Sequence, residues 1–206
     1  MFISRPDASL GEQEWRPFLI GQGFGHLIAA GRGRDVPVVS PTQYVVDDQH
    51  ILLHLAAPNL LFEALTENPM TVLSVAGDWA YIPSAWKALA DEDPALGIPT
   101  TYYAAVQVIG RAEVISDAAG ILEILRRQLG VLQPDLPVVD PSVHTAKLPA
   151  IRGIRLPIEQ VRAKFKYGGN VDVAHRAAVG ELLTERGRPG DAAAREHLYR
   201  RMPPTR

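Results

Sequence analysis

The sequence predicts a mainly β, α+β fold: antiparallel strands forming a barrel, with helices at its periphery. Three observations carry this. Many short runs of β-branched and aromatic residues are separated by turn residues. The early runs follow one another through short connections, as in an antiparallel meander. Only a few segments space their apolar residues as a helix does.

Taken in order, Ser9 and Glu12 form a capping box before a helix whose face holds Trp15, Phe18 and Leu19, and Gly23 ends it. Residues 25–30 are a strand, and Gly31 to Arg34 a turn. Residues 36–46 are a second strand, bent by Pro37 and Pro41, which suits an edge. Residues 49–55 are a third. Residues 60–67 form a short helix stopped by Asn68-Pro69. A strand over 70–76, a turn at Gly77-Asp78, a strand over 79–83 and a long strand over 99–115 follow. Asp117 caps an amphipathic helix over 118–129. Residues 133–140 are a proline-rich loop, 149–157 a strand, 161–166 a short extended piece and 172–183 a helix. Residues 1–183 read as one domain. Residues 184–206 read as a basic, loosely held tail with at most one short helix.

The rest is organised around residues 80–110. Two apolar, aromatic-rich ends flank an acidic insert, residues 87–98, with Asp91, Glu92, Asp93, Pro94 and Gly97. A long loop between strands in a compact domain is often functional, so the insert either covers something or is a solvated surface hairpin.

Composition excludes several classes. The 206 residues carry a net charge of −2, which argues against a surface built to coat nucleic acid or an anionic membrane. No cysteine is present, so thiolate metal sites and cysteine nucleophiles are out. No run reads as a signal peptide or a bilayer span, which gives the expectation of a cytoplasmic protein without a membrane partner. The six histidines show no helical H-x-x-x-H pair with a carboxylate, so no metal site is expected. No P-loop and no G-x-S-x-G elbow occurs. Gly21-Gln22-Gly23-Phe24-Gly25 follows a helix and reads as its C-terminal cap rather than a dinucleotide fingerprint. The tail arginines Arg186, Arg188, Arg195, Arg200, Arg201 and Arg206 are interrupted by acidic residues. No recognition helix is evident, so direct sequence-specific DNA binding is not expected.

A few residues could carry chemistry. His54, between leucines on a strand, reads as a satisfied strand residue or a ligand contact. Trp86 either covers a flat ring or fills core. Lys164 and Lys166 alternate around Phe165 and share a strand face, where they either hold a phosphate or blunt a solvated edge.

Several motifs fall in one order at one set of spacings: His54-Leu55-Ala56-Ala57-Pro58-Asn59, then Ala80-Tyr81-Ile82-Pro83-Ser84-Ala85-Trp86, then Ile98-Pro99-Thr100. Tyr103-Ala104-Ala105-Val106 closing on Gly110, and Lys164-Phe165-Lys166 after residues 151–157, complete the set. This pattern, from about Phe2 to Leu183, resembles the PaiB-like family of FMN-binding "negative transcriptional regulator" proteins. The resemblance implies an FMN-binding split β-barrel, a homodimer, and FMN at the subunit interface. It implies a cofactor site drawn from His54, Asn59, Ser84, Trp86, Thr100, Lys164, Lys166 and Asn170. Lys164, Lys166, Ser84 and Thr100 are candidates for the phosphate, and Trp86, His54 and Asn59 for the ring. No residue is diagnostic of a proton donor, so catalytic residues stay unassigned. An FMN-dependent oxidoreductase on a small substrate, or a member with a changed or lost cofactor, remain the alternatives. The chain departs from the family pattern at Gln43, Lys87, Thr101, Tyr102, Gln107 and the run Tyr167-Gly168-Gly169.

Overall fold

A computed structural model describes residues 1–88 and 92–201; Asp91 of the insert and Arg206 of the tail lie outside the described residues. The strands are β1 (Phe24–Ala29), β2 (Val38–Gln43), β3 (Val45–Asp47), β4 (His50–Ala56), β5 (Met70–Ile82), β6 (Thr100–Arg111), β7 (Glu113–Ile115), β8 (Ile151–Pro157) and β9 (Gln160–Lys166). The α-helices are α1 (Glu12–Gln22), α2 (Leu61–Glu67), α3 (Ala118–Leu132), α4 (Val173–Arg186) and α5 (Asp191–Arg200). One sheet has the order β2-β1-β5-β6-β9 and the other β3-β4-β8-β7. The pairings β1–β2, β1–β5, β3–β4, β4–β8 and β7–β8 are antiparallel. The α+β class therefore stands. The chain divides into two compact units. Unit 1 holds Met1–Trp15, Ala76–Val106 and Ala163–Arg206; unit 2 holds Arg16–Val75 and Gln107–Arg162.

In unit 2, β1 buries Gly25, Leu27 and Ala29 and turns Phe24 and His26 outward, the period-two alternation of a half-buried strand. Gly25 is required there, because a Cβ would stand 2.8 Å from a methyl of Val75. Proline is tolerated in β2 because β2 is the sheet's edge. The single strand expected over 36–46 is in fact two, β2 and β3, in different sheets. The break falls at Tyr44, whose buried ring hangs from the Leu19 carbonyl through a 2.8 Å hydrogen bond from its hydroxyl. α3 covers the second sheet, packing Ile121 and Ile124 against Val45, Leu52, Ile115 and Leu148. Asp117 caps it by accepting from the Gly120 N–H at 2.9 Å, as the sequence indicates. Residues 141–148, unassigned from sequence, and 149–150, read as the start of a strand, form a run of 3₁₀ turns.

Unit 1 brings three corrections. The helix start expected from Ser9 and Glu12 is organised differently: Gly11 turns at φ +121°, and the Glu14 carboxylate accepts from a preceding N–H, that of Leu10 at 2.7 Å. No turn interrupts β5 at Gly77-Asp78. Asp78 takes φ +50° within the strand and is pinned there. Its carbonyl accepts from the Tyr167 hydroxyl at 2.8 Å, and its carboxylate meets His197 Nε2 at 2.7 Å. Asp tolerates the left-handed region better than most residues. Residues 184–201 of the expected tail are not loosely held. α4 runs to Arg186, Gly187 closes it at φ +59°, and α5 buries Ala194, His197 and Leu198. Helical spacing over residues 191–200 supplies a buried stripe that arginine and glycine content obscured.

Candidate functional site

The acidic insert folds back on itself through local bonds. Ser84–Trp86 is a 3₁₀ turn whose Ser84 carbonyl accepts from Lys87 N–H at 2.7 Å. A second turn, Pro94–Leu96, is capped by Asp93, which accepts from Ala95 N–H at 2.9 Å. Gly97 lets the two turns meet, because a Cβ there would run into the Ser84 carbonyl.

The insert forms one wall of a cleft of about 490 Å³ in unit 1. Lys87, Leu96 and Ile98 come from the insert, with Glu92 also lining it. Thr100 and Tyr102 come from β6, and Lys166, Gly168 and Asn170 from the end of β9 and the turn after it. Lys166 Nζ donates to Thr100 Oγ1 at 2.6 Å. With one of its two lone pairs so used, the Thr100 hydroxyl can direct its own hydrogen at a ligand. Leu96 and Ile98 are 68% and 80% exposed, an apolar wall beside a cationic floor.

The floor is electrostatically tense. Burial pulls the Lys87 ammonium below its usual value; the Asp172 carboxylate opposes the fall and the Lys166 charge adds to it. Burial also lowers His175, with the Lys87 charge contributing and Asp172 opposing. Burial raises the Tyr102 phenol, against the charge of Arg176, so it stays protonated. The Tyr102 hydroxyl is buried and finds no hydrogen-bond partner among the described residues; the same holds for His175 Nε2 and Arg176 Nε.

The eight residues expected at the site are not brought together as one set. Thr100, Lys166 and Asn170 meet in the cleft. Ser84 stands behind it and contributes a carbonyl to the insert's turn, and Trp86 lies outside the lining, with the Arg186 guanidinium 4.6 Å from its ring centre. Lys164 does not join Lys166, although both alternate as expected. Its ammonium is buried 3.7 Å from the Asp7 carboxylate, donates to the Phe2 carbonyl at 3.3 Å and faces the Tyr103 ring. His54 and Asn59 belong to unit 2. His54 Nδ1 lies 2.6 Å from the side-chain oxygen of Gln128 on α3, the satisfied strand histidine of the two readings. Asn59 exchanges hydrogen bonds with Ser40 and accepts from the Leu61 N–H at 2.9 Å, at the start of α2. It lines a separate cleft of about 290 Å³ with Phe62 and Arg152. Sequence reasoning missed Lys87, Tyr102 and Gly168 as site residues. The available signal was that all three are departures from the family pattern, and they converge in one cleft. Among the described residues no cluster of His, Asp and Glu could hold a metal, and no helix is long and apolar enough to cross a membrane.

Antiparallel sheets with peripheral helices, and a cleft that sets ammonium and hydroxyl groups beside an apolar wall, define a cofactor-binding α+β protein. The chain belongs to the family described as "Putative FMN-binding domain", whose model matches residues 1–160. Its cofactor is FMN or a related flavin. The match ends before Lys166, Gly168 and Asn170. Among solved structures, the flavocytochrome Anf3 of Azotobacter vinelandii is similar at 24% identity, over 85% of this chain and 78% of that one, with a TM-score of 0.64. An FAD and haem binding protein of Mycobacterium smegmatis is similar at 18% identity, over 84% and 80%, with a TM-score of 0.61. At these identities the likeness is one of fold. No curated protein matches the sequence.

The cleft fits the phosphate end of a flavin on its own chemistry. Two ammonium groups, a hydroxyl with a hydrogen to give and a buried hydroxyl lacking a partner suit an oxyanion.

Proposed function

We propose that this chain is a PaiB-like, FMN-binding split-barrel protein that seats the flavin phosphate in the unit 1 cleft and works as a homodimer. The observation that carries the reading is Lys166 held at 2.6 Å on Thr100, opposite the Lys87 wall. Lys166 and Lys87 neutralise the phosphate, Thr100 donates to it, and Leu96 and Ile98 offer an apolar surface to the ring. The bound flavin supplies electron or hydride transfer from its ring system. Support for the dimer comes from Trp79 and Tyr81, 62% and 50% exposed and two residues apart on β5, an aromatic patch that a second copy would cover. The negative regulation implied by the PaiB resemblance would act through the bound flavin rather than through DNA contact, given the net charge of −2.

Titration with FMN and riboflavin tests this. FMN binds more tightly than riboflavin, and Lys166→Met removes most of the difference. A charge-assisted hydrogen bond of about 1.5–3 kcal/mol corresponds to roughly a 10- to 150-fold loss for FMN. Equal affinity for the two flavins would remove the phosphate from this cleft.

A further inference from the structure

We propose that the Tyr102 hydroxyl is a specificity-determining hydrogen-bond donor to a phosphate-type oxygen bound in the unit 1 cleft. The identity of the anion rests on the flavin reading above; the donor role rests on the geometry around Tyr102.

Tyr102 is 1% exposed, yet it lines the cleft, and its oxygen has no partner among the described residues. Buried hydroxyls are normally hydrogen-bonded, and one left unsatisfied is destabilising. The ring is held so that the hydroxyl cannot swing elsewhere. It packs edge-on against Tyr167 at 6.0 Å between centres, and the Tyr167 hydroxyl is in turn anchored on the Asp78 carbonyl at 2.8 Å. Gly168 packs directly against the oxygen, with no side chain of its own to displace it. That residue sits at φ +71°, and a Cβ on it would stand 2.5 Å from the Tyr102 oxygen. Glycine is thus required both by the backbone and by the room the hydroxyl needs.

The surroundings decide what that hydroxyl meets. Lys166 and Lys87 line the same cleft, and the buried Arg176 is near enough for its charge to act on the phenol. Lys166 and Lys87 outnumber the Glu92 carboxylate in the lining, which favours an oxyanion there over a cation. The phenol stays protonated, because burial pushes its ionisation upward. It therefore offers a hydrogen to an oxygen that already attracts two ammonium groups, a charge-assisted bond. Such a donor favours a phosphate over a neutral hydroxyl in the same place, since only the anion repays the desolvation of the lysines.

The test compares wild type, Tyr102→Phe and Lys166→Met by titration with FMN and riboflavin, by competition with inorganic phosphate, and by thermal midpoint without ligand. Tyr102→Phe is expected to bind FMN about 10-fold more weakly, to bind riboflavin as wild type does, and to be displaced less readily by phosphate. Its unliganded midpoint is expected to match or exceed wild type, because the hydroxyl it lacks has no partner to lose. A lower unliganded midpoint would make the hydroxyl structural and overturn the proposal. Equal losses for FMN and riboflavin would move the contact to the ring and also overturn it. If Lys166→Met weakens FMN and Tyr102→Phe does not, the flavin reading stands and the donor role falls. If FMN fails to bind wild type but phosphate raises its midpoint and not that of Tyr102→Phe, the donor role stands without the flavin. If phosphate has no effect either, both fall.

Discussion

Replacing Arg201 by Met should be among the most damaging single changes in unit 1. The guanidinium forks onto Glu14, with Nε 2.8 Å and Nη2 2.9 Å from its two carboxylate oxygens. It also donates to the carbonyls of Ala8 at 2.6 Å, Pro6 at 3.1 Å and Phe165 at 3.1 Å. Both side chains are 6% exposed, so water does not replace these bonds. Removing the guanidinium leaves a buried carboxylate with the Leu10 N–H, at 2.7 Å, and the Ser9 hydroxyl as donors but no cation. Breaking a buried pair from one side costs about 3–5 kcal/mol. For a chain of this size each kcal/mol is worth roughly 2–4 °C, so Tm should fall by about 6–20 °C. The double variant Arg201→Met/Glu14→Gln should lose less than the sum of the singles, because the orphaned charge is gone. The pair also sets an acid limb. Burial raises the Glu14 pKa, but bonds from Arg201 and Leu10 outweigh it and the net shift is downward. The folded state therefore binds its proton later than the unfolded state does. The contribution is present above about pH 4.3, the ordinary glutamate value, and is lost as pH falls through the lower folded value. Urea and thermal unfolding across pH 3–7 measure all of this. A loss under about 1 kcal/mol for Arg201→Met, well below the range for a buried pair, would refute the buried-pair reading.

Three further outcomes are expected. FMN binding should take up protons, because the arriving phosphate favours the charged forms of Lys87 and His175 that burial disfavours. For Lys87 the complex then has the higher pKa, so affinity falls as pH rises towards the ordinary lysine value of about 10.4, well above the second ionisation of the phosphate near 6. Calorimetry in buffers of different ionisation enthalpy reads the uptake, and affinity that is flat or rising over that window contradicts it. Gly168→Ala should cost about 1–3 kcal/mol, since its φ of +71° is strained for any residue with a Cβ, and should weaken FMN by crowding Tyr102; denaturation and flavin titration check the two effects. Trp86→Ala should lower stability equally with and without flavin, by about 0.5–2 kcal/mol for the lost Arg186 stacking. A selective loss of flavin retention would instead place Trp86 on the ring.

What was legible in the sequence was local. Gly23, Asp117 and Asp172 were readable as helix boundaries, because a cap is decided within a few residues. The short strand over 25–30 was readable too, and the structure shows its buried face to be Gly25, Leu27 and Ala29. What depended on distant partners was not legible. Gly77-Asp78 has turn chemistry, but a tyrosine 89 positions away holds it inside a strand. Tyr44 splits an apparently continuous strand because a helix carbonyl 25 positions earlier claims its hydroxyl. The site shows the same division: composition gave cationic and hydroxyl groups, while only folding chose among them.

Lys164 and Lys166 make that choice concrete. They sit two apart on β9, and strand periodicity gives them one face and the same apparent role. The difference is set by what the N-terminal segment does. Residue Ala8 bridges to Lys164, and Asp7 and the Phe2 carbonyl close over its ammonium. Lys164 is thereby neutralised and becomes part of the structure. Lys166, past the end of that cover, meets a neutral hydroxyl and the like charge of Lys87. Two ammonium groups of the same sign beside a buried hydroxyl without a partner make the unliganded cleft less stable than apolar residues would. An oxyanion reverses each of those terms at once: it screens the repulsion, restores the protons that burial disfavours, and accepts the hydrogen of Tyr102. A local arrangement that is unfavourable alone and favourable with one class of ligand is what a binding site looks like in energetic terms.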